Sequence, residues 1–235
     1  MKYLWLLCMA VLLGSCSYLP LTPIPTDGFV VTDHQDYLEL APASGSPATT
    51  GLMFWPGGLV DPHAYVASLG VFAARGYRVV IAKVPMNLAI TQIGKGYDLA
   101  RRLGGKWVAG GHSLGGTTAA WSVYDHQAAF EALVLLASYP ATSTPLTSWS
   151  KPVLSLRGEF DQLATEAKIE AAKSDLPTSG TGSAHTQYEV INGGNHAQWG
   201  DYGPQDGDGT ATINKSSQWT QLADKLVAFW SANNL

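Results

Sequence analysis

From Phe29 onward, short apolar runs alternate with segments whose apolar residues recur at helical spacing. Phe29 to Thr32 and Tyr37 to Leu40 read as an opening hairpin around Asp33-His34-Gln35-Asp36. Gly51-Leu52-Met53-Phe54-Trp55 is an apolar strand stopped by Pro56-Gly57-Gly58. Asp61-Pro62 then pairs a capping carboxylate with a proline suited to a first helical turn, which predicts a helix through Ala64 to Ala74 that ends at Gly76. The alternation continues: Tyr77 to Ala82 reads as strand, Ile90 to Arg102 as helix, Lys106 to Gly110 as strand, Thr117 to Tyr124 as helix and Ala132 to Leu136 as strand. Two further strands run up to Arg157-Gly158 and to Ile191. A last helix, Gln218 to Trp230, sets Leu222, Leu226, Phe229 and Trp230 at core spacing. Strands this uniformly apolar must be covered on both sides, so the pattern predicts an α/β fold: a mostly parallel central sheet with helices on both faces.

The amino terminus breaks this pattern. Met1-Lys2 supplies a minimal positive end, Leu4 to Leu13 an apolar stretch too short for a stable membrane span, and Leu13-Gly14-Ser15-Cys16 a small-residue cleavage site. These residues resemble a bacterial lipoprotein signal with its lipobox. The resemblance implies that residues 1–15 are removed and that Cys16 becomes a lipidated first residue, carrying diacylglyceryl and an amide-linked acyl chain such as palmitate. It also implies an extracytoplasmic protein anchored to a bacterial membrane. Ser17, where aspartate would signal retention, resembles the pattern sorted to the outer membrane of Gram-negative cells. Residues 16–28, with Pro20, Pro23 and Pro25, are expected to form an extended tether, and residues 29–235 the folded domain.

Composition narrows the function. A hydrophobic content of 46% over 235 residues suffices for one large core. With only 14% charged residues and a formal net charge of −4, the chain has no basic stripe for nucleic acid, so that partner is set aside. The two cysteines, Cys8 and Cys16, both lie in the leader region and leave the body without a disulfide.

Chemistry concentrates at Gly111-His112-Ser113-Leu114-Gly115, placed between an apolar strand and a helix. Such a strand-to-helix corner needs glycine beside the serine, because side chains there would strike neighbouring backbone. Downstream, a strand ends in Arg157-Gly158-Glu159-Phe160-Asp161, and another in Gly193-Gly194-Asn195-His196. Serine, acid and histidine in that chain order, each beyond a strand end, suit nucleophilic acyl transfer. Ser113 is the candidate nucleophile, His196 the base, and Asp161 the residue that orients it; Glu159 is the alternative acid. His112 is expected to pack or hydrogen-bond rather than act as base. The oxyanion donors are expected from the Leu114 N–H and from Gly58 or Leu59 in the loop after the Gly51–Trp55 strand.

The segment Gly110 to Gly116, the turn Arg157 to Asp161 and the loop Gly193 to His196 resemble the α/β-hydrolase superfamily, most closely its small dienelactone-hydrolase-like branch. The resemblance covers about Val30 to Leu235. It implies a carboxylesterase-like serine hydrolase acting on a small-molecule ester or thioester, with no cofactor and no metal. Dienelactone hydrolases themselves use cysteine, so Ser113 points away from lactones towards general esters. A peptidase or amidase on the same triad, or a noncatalytic binding module, is the alternative. The stretch between Leu136 and Pro152 is too short for a helical lid, so the cap is minimal. Tyr139 and Trp149 from that loop, with Trp199 and Tyr202 from the long segment after His196, are the candidate pocket walls. Asp201, Asp206 and Asp208 lack the register of a calcium loop and read as a solvated turn.

Overall fold

The computed structural model describes residues 17–23, 27–178 and 185–235. Eight strands form one sheet: β1 (Phe29–Asp33), β2 (Tyr37–Pro42), β3 (Thr50–Trp55), β4 (Val79–Ala82), β5 (Lys106–His112), β6 (Ala132–Leu136), β7 (Val153–Gly158) and β8 (Thr186–Ile191). Their order across the sheet is β1-β2-β4-β3-β5-β6-β7-β8. The first hairpin and the β2–β4 pair are antiparallel, and every pairing from β4 to β8 is parallel. This is the α/β-hydrolase fold that the sequence predicts.

Side-chain alternation divides the interior into two layers. Leu52 and Phe54 of β3 enter one cluster with Val79, Ile81, Val108 and Val134, while Met53 and Trp55 enter the other with Val80, Ala82, Ala109 and Leu135. Helices α1 (Val66–Ala73) and α5 (Lys215–Ala232) cover the first layer, and α2 (Lys95–Leu103) and α3 (Leu114–Asp125) the second. A short α4 (Glu166–Ala171) follows the β7 turn, its cap Thr165 accepting from the Lys168 N–H.

Two segments differ from the sequence reading. The helix expected from Ile90 begins only at Lys95, because residues 89–92 close a 3₁₀ turn and Gly94 intervenes. Gly96 then brings α2 against Trp55; a Cβ there would lie 2.1 Å from the indole. The expected tether is docked over its described part: the Tyr18 N–H donates to Leu59 O at 2.8 Å, and the Asp61 N–H returns to Tyr18 O at 2.9 Å. Over residues 17–23 the segment is therefore a strap that pairs with the body. Residues 1–15 and Cys16 lie outside the described residues. No described helix is long and apolar enough to cross a membrane.

Candidate active site

Strand β5 ends at His112 and α3 begins at Leu114, so Ser113 alone makes the corner, at φ 52° and ψ −126°. A non-glycine residue in that region is strained, and such strain persists only where the surroundings impose it. They do so closely. A Cβ at Gly111 would lie 2.4 Å from Gly115 backbone, and one at Gly115 2.2 Å from the Trp55 and Pro56 carbonyl oxygens. The Ser113 N–H donates to Leu136 O at 3.0 Å, and the Ser138 hydroxyl donates to Ser113 O at 2.7 Å, which ties the corner to the adjacent strand end.

The acid and the histidine arrive from β7 and β8. His196 Nδ1 lies 2.9 Å from Asp161 Oδ2, with both side chains buried. Asp161 Oδ1 accepts from the Leu163 and Ala164 N–H groups at 2.9 and 2.7 Å, so its free carboxylate edge is aimed at the imidazole. Glu159 is occupied elsewhere, accepting from the Gly193 N–H at 2.8 Å. His196 Nε2 has no partner among the described residues, and it shares with Ser113 an open groove of about 230 Å³. Ser113 and His196 are not hydrogen-bonded to each other in this structure.

Leu114 opens α3, and a first-turn N–H has no carbonyl partner within its own helix. Of the two alternatives for the second donor, Leu59 is committed: its N–H donates to Asn87 O at 2.7 Å. Gly57 is committed too, its N–H donating to the Tyr65 hydroxyl at 2.9 Å. Gly58 stands between them, close enough that a Cβ would come 3.3 Å from Leu114 Cδ2.

Sequence reasoning missed the support beneath this loop. The Tyr65 hydroxyl accepts from Gly57 and lies 2.8 Å from His112 Nδ1. Burial pushes the Tyr65 phenol up, so it keeps its proton and donates it to His112. Burial, reinforced by the neighbouring His196, holds the His112 imidazole well below the usual histidine range. Its ring centroid is 4.5 Å from that of His196. Tyr65 carried no sequence signal, being one more aromatic on a core-facing helical turn.

The groove beside Ser113 is lined by Leu114, Thr117, Ala137, Ser138, Tyr139, Leu163, Ala164 and His196. Of the four residues expected as pocket walls, only Tyr139 is there. Trp149 is packed in the core layer of α2 and α3, and its indole donates towards Gln127 O. Trp199 is fully buried in the opposite layer. Tyr202 is also buried, against Tyr18 and Tyr65. Large aromatic surfaces near a loop gain more from filling the interior than from lining an open groove.

Of the three aspartates expected in a solvated turn, Asp201 and Asp208 instead make structural contacts and only Asp206 fits that expectation. Asp201 is 2% exposed and accepts from the Thr22 N–H, the Thr22 hydroxyl and Lys215. Asp208 accepts from the Ala197 N–H at 2.8 Å and so braces the residue after His196. Asp206 is exposed. No group of three or more metal-ligating side chains lies among the described residues. Gln218 of α5 braces the same loop from below: its amide donates to Asn195 O at 3.0 Å and accepts from the Asn195 N–H at 3.1 Å.

Comparison with known proteins follows the same lines. The profile of the alpha/beta hydrolase family matches residues 51–220. No curated protein matches the chain. Among solved structures, the chain is similar to MGS-MChE2, an alpha/beta hydrolase enzyme from the metagenome of lagoon sediments of Mar Chica, Morocco, with 14% identity and a TM-score of 0.64 over 88% of this chain and 100% of that one. It is similar to Est1E from Butyrivibrio proteoclasticus, with 13% identity and a TM-score of 0.56 over 87% and 99% of the two chains. An alpha-beta serine hydrolase homologue from Coxiella burnetii matches with 14% identity and a TM-score of 0.56 over 88% and 99%.

Proposed function

Because the chain belongs to the alpha/beta hydrolase family, we propose that it is a serine hydrolase cleaving a carboxylic ester or thioester through an acyl-enzyme on Ser113. The observation that carries this reading is the buried His196–Asp161 pair, at 2.9 Å, whose unpartnered Nε2 shares the Ser113 groove. A serine hydroxyl attacks only as its proton leaves, and a neutral imidazole can take it near neutral pH. Ser113 Oγ forms the bond to the acyl carbon while its proton moves to His196 Nε2. Asp161 holds Nδ1–H and stabilises the imidazolium. The carbonyl oxygen gathers negative charge beside the Leu114 and Gly58 N–H groups, and each such donor is worth roughly 2.7–4 kcal/mol in a measured protease case. His196 returns its proton to the departing alcohol or thiol. Water then repeats the sequence to free the acid and Ser113.

The short β6–β7 connection supports placement in the small dienelactone-hydrolase-like branch, and the open groove with Tyr139 at its wall suits a small acyl group. The lipobox-like Leu13 to Cys16 supports anchoring through lipid on Cys16 to the extracytoplasmic face of a bacterial membrane, the outer one in a Gram-negative cell. Mass spectrometry of the mature terminus should find acyl chains on Cys16, and an unmodified terminus elsewhere would refute the anchor. For the chemistry, a fluorophosphonate probe should label Ser113 in the native protein and fail to label Ser113→Ala. Labelling of His196→Ala at the native rate would overturn the mechanism.

A further inference from the structure

Three segments lie side by side next to the groove: the strap, the loop after β3 and the turn after β4. The Tyr18 N–H donates to Leu59 O, and the Leu59 N–H donates in turn to Asn87 O. Residues 17–23, 56–60 and 84–92 contain no Asp, Glu, Lys or Arg. They present Leu19, Leu21, Leu59 and Met86 to solvent, with exposures of 60%, 62%, 37% and 69%. Two of these four sit in left-handed backbone, Leu59 at φ 62° and Met86 at φ 55°, where glycine or asparagine is the usual occupant. Met86 carries that strain with little burial in return, and Leu59 carries it while still leaving more than a third of its surface exposed. Stability of the free protein therefore does not account for them.

We propose that this face is seated in the surface of a phospholipid bilayer, and that the enzyme takes its ester from the membrane side. The inference rests on the proposed anchor, because the chain enters the face at Ser17, whose hydroxyl accepts from Asn87 Nδ2, and Cys16 is the preceding residue. Lipid on Cys16 would hold this face, rather than any other, at the headgroups. The acyl chains on Cys16 would supply the attachment, and apolar contacts beside it add buried area that fixes which face lies at the headgroups. The absence of basic residues in the three segments selects uncharged headgroups over an anionic surface. Gly58 immediately precedes Leu59 and faces Leu114, so the seated face borders the groove. An ester dissolved among acyl chains would reach Ser113 without crossing open water.

The test uses the processed, lipidated protein reconstituted in phosphatidylcholine vesicles, with a fluorescent label at Met86→Cys or, as reference, at the exposed Lys106→Cys on the far end of β5. Flotation reads the anchor, and quenching by spin-labelled lipid reads the face. Position 86 should be quenched and position 106 should not. A protein that does not float refutes the anchor and this seating with it. One that floats but is quenched equally at both positions refutes the seating alone. A label at position 86 already shielded before vesicles are added marks contact with a second copy and also overturns the proposal. In a second arm, Leu19→Asp/Met86→Asp should lose about tenfold or more in hydrolysis of a vesicle-borne ester while cleaving a water-soluble short-chain ester at the native rate. Equal rates on both substrates would overturn it. If the native protein cleaves neither ester, the hydrolase reading fails while the quenching arm still decides the seating.

Discussion

Tyr65 and His112 carry more consequence than their place in the sequence suggests. Tyr65→Phe removes the acceptor of the Gly57 N–H and leaves His112 Nδ1 without its donor. An unsatisfied buried group costs about 1–3 kcal/mol, which denaturant unfolding should register. The loop carrying Gly58 is positioned by the same bond, so kcat on a soluble ester should fall more than KM rises. His112 also gives stability a pH dependence. Its pKa is lowered in the folded state, so below its ordinary value of 6.5 the unfolded chain takes up a proton that the folded chain refuses. Stability should therefore fall as pH drops below that value, by up to ~1.4 kcal/mol per pH unit for this group. His112→Asn should flatten that part of a urea-unfolding series between pH 7 and 5. An unchanged slope would show that another group titrates there.

At the scale of elements, the loops at the ends of β7 and β8 are held by parts remote in sequence. Asp161 takes its shape from its own turn, but His196 depends on Asp208 and on α5 through Gln218. Gln218→Leu leaves both the N–H and C=O of Asn195 unpaired inside the protein. The variant should lose about 2 kcal/mol of stability and show a lower kcat with little change in KM, because the groove walls are untouched. Helix α5 has its own cap, Asn214, whose side chain accepts from the Ser217 N–H at 2.8 Å. Asn214→Ala should cost about 1 kcal/mol in unfolding while leaving kcat nearly native, which separates the stability of α5 from its role in bracing the histidine loop. The strands and most helices were legible in the sequence because a buried parallel strand has to be a continuous apolar run, and a helix end has to be capped. The late start of α2 was not, since its apolar spacing runs back through Ile90 and only packing of Gly96 on Trp55 decides where the helix sits.

For the whole molecule, the strap joins the two sides of the site. It pairs with the Leu59–Asp61 segment and reaches Asp201 through the Thr22 N–H and hydroxyl. Burial disfavours the Asp201 carboxylate, but hydrogen bonds from Lys215 and Thr22, with the Lys215 charge, hold its pKa below the usual 3.8. The ionised form is thus favoured in the folded state, so its contribution is present above that pH and is lost as pH falls further. Asp201→Ala should free the strap: limited proteolysis should cut within residues 19–23 of the variant at concentrations that spare that segment in the native protein. Equal resistance would show that the Tyr18–Leu59 pairing suffices alone.

Much of the candidate site could be read in the chain, because its chemistry is local to short motifs. Glycines around Ser113, and a carboxylate and a histidine just beyond strand ends, are demands of backbone geometry that leave little freedom in sequence. The apolar alternation likewise determined the α/β class, since few arrangements cover such strands on both faces. What the sequence left open depends on which loops meet in space. Glu159 stays open as an alternative to the favoured Asp161 until the turn aims Asp161 at His196 and Glu159 at Gly193. Gly58 and Leu59 are equal donors until Asn87 takes the Leu59 N–H. Trp149, Trp199 and Tyr202 look like pocket walls until packing buries them. A strap of prolines looks like a tether until it finds the edge of Leu59. In each case the deciding partner is distant in sequence, and a hydrogen bond or a buried surface between distant segments exists only once the chain has folded.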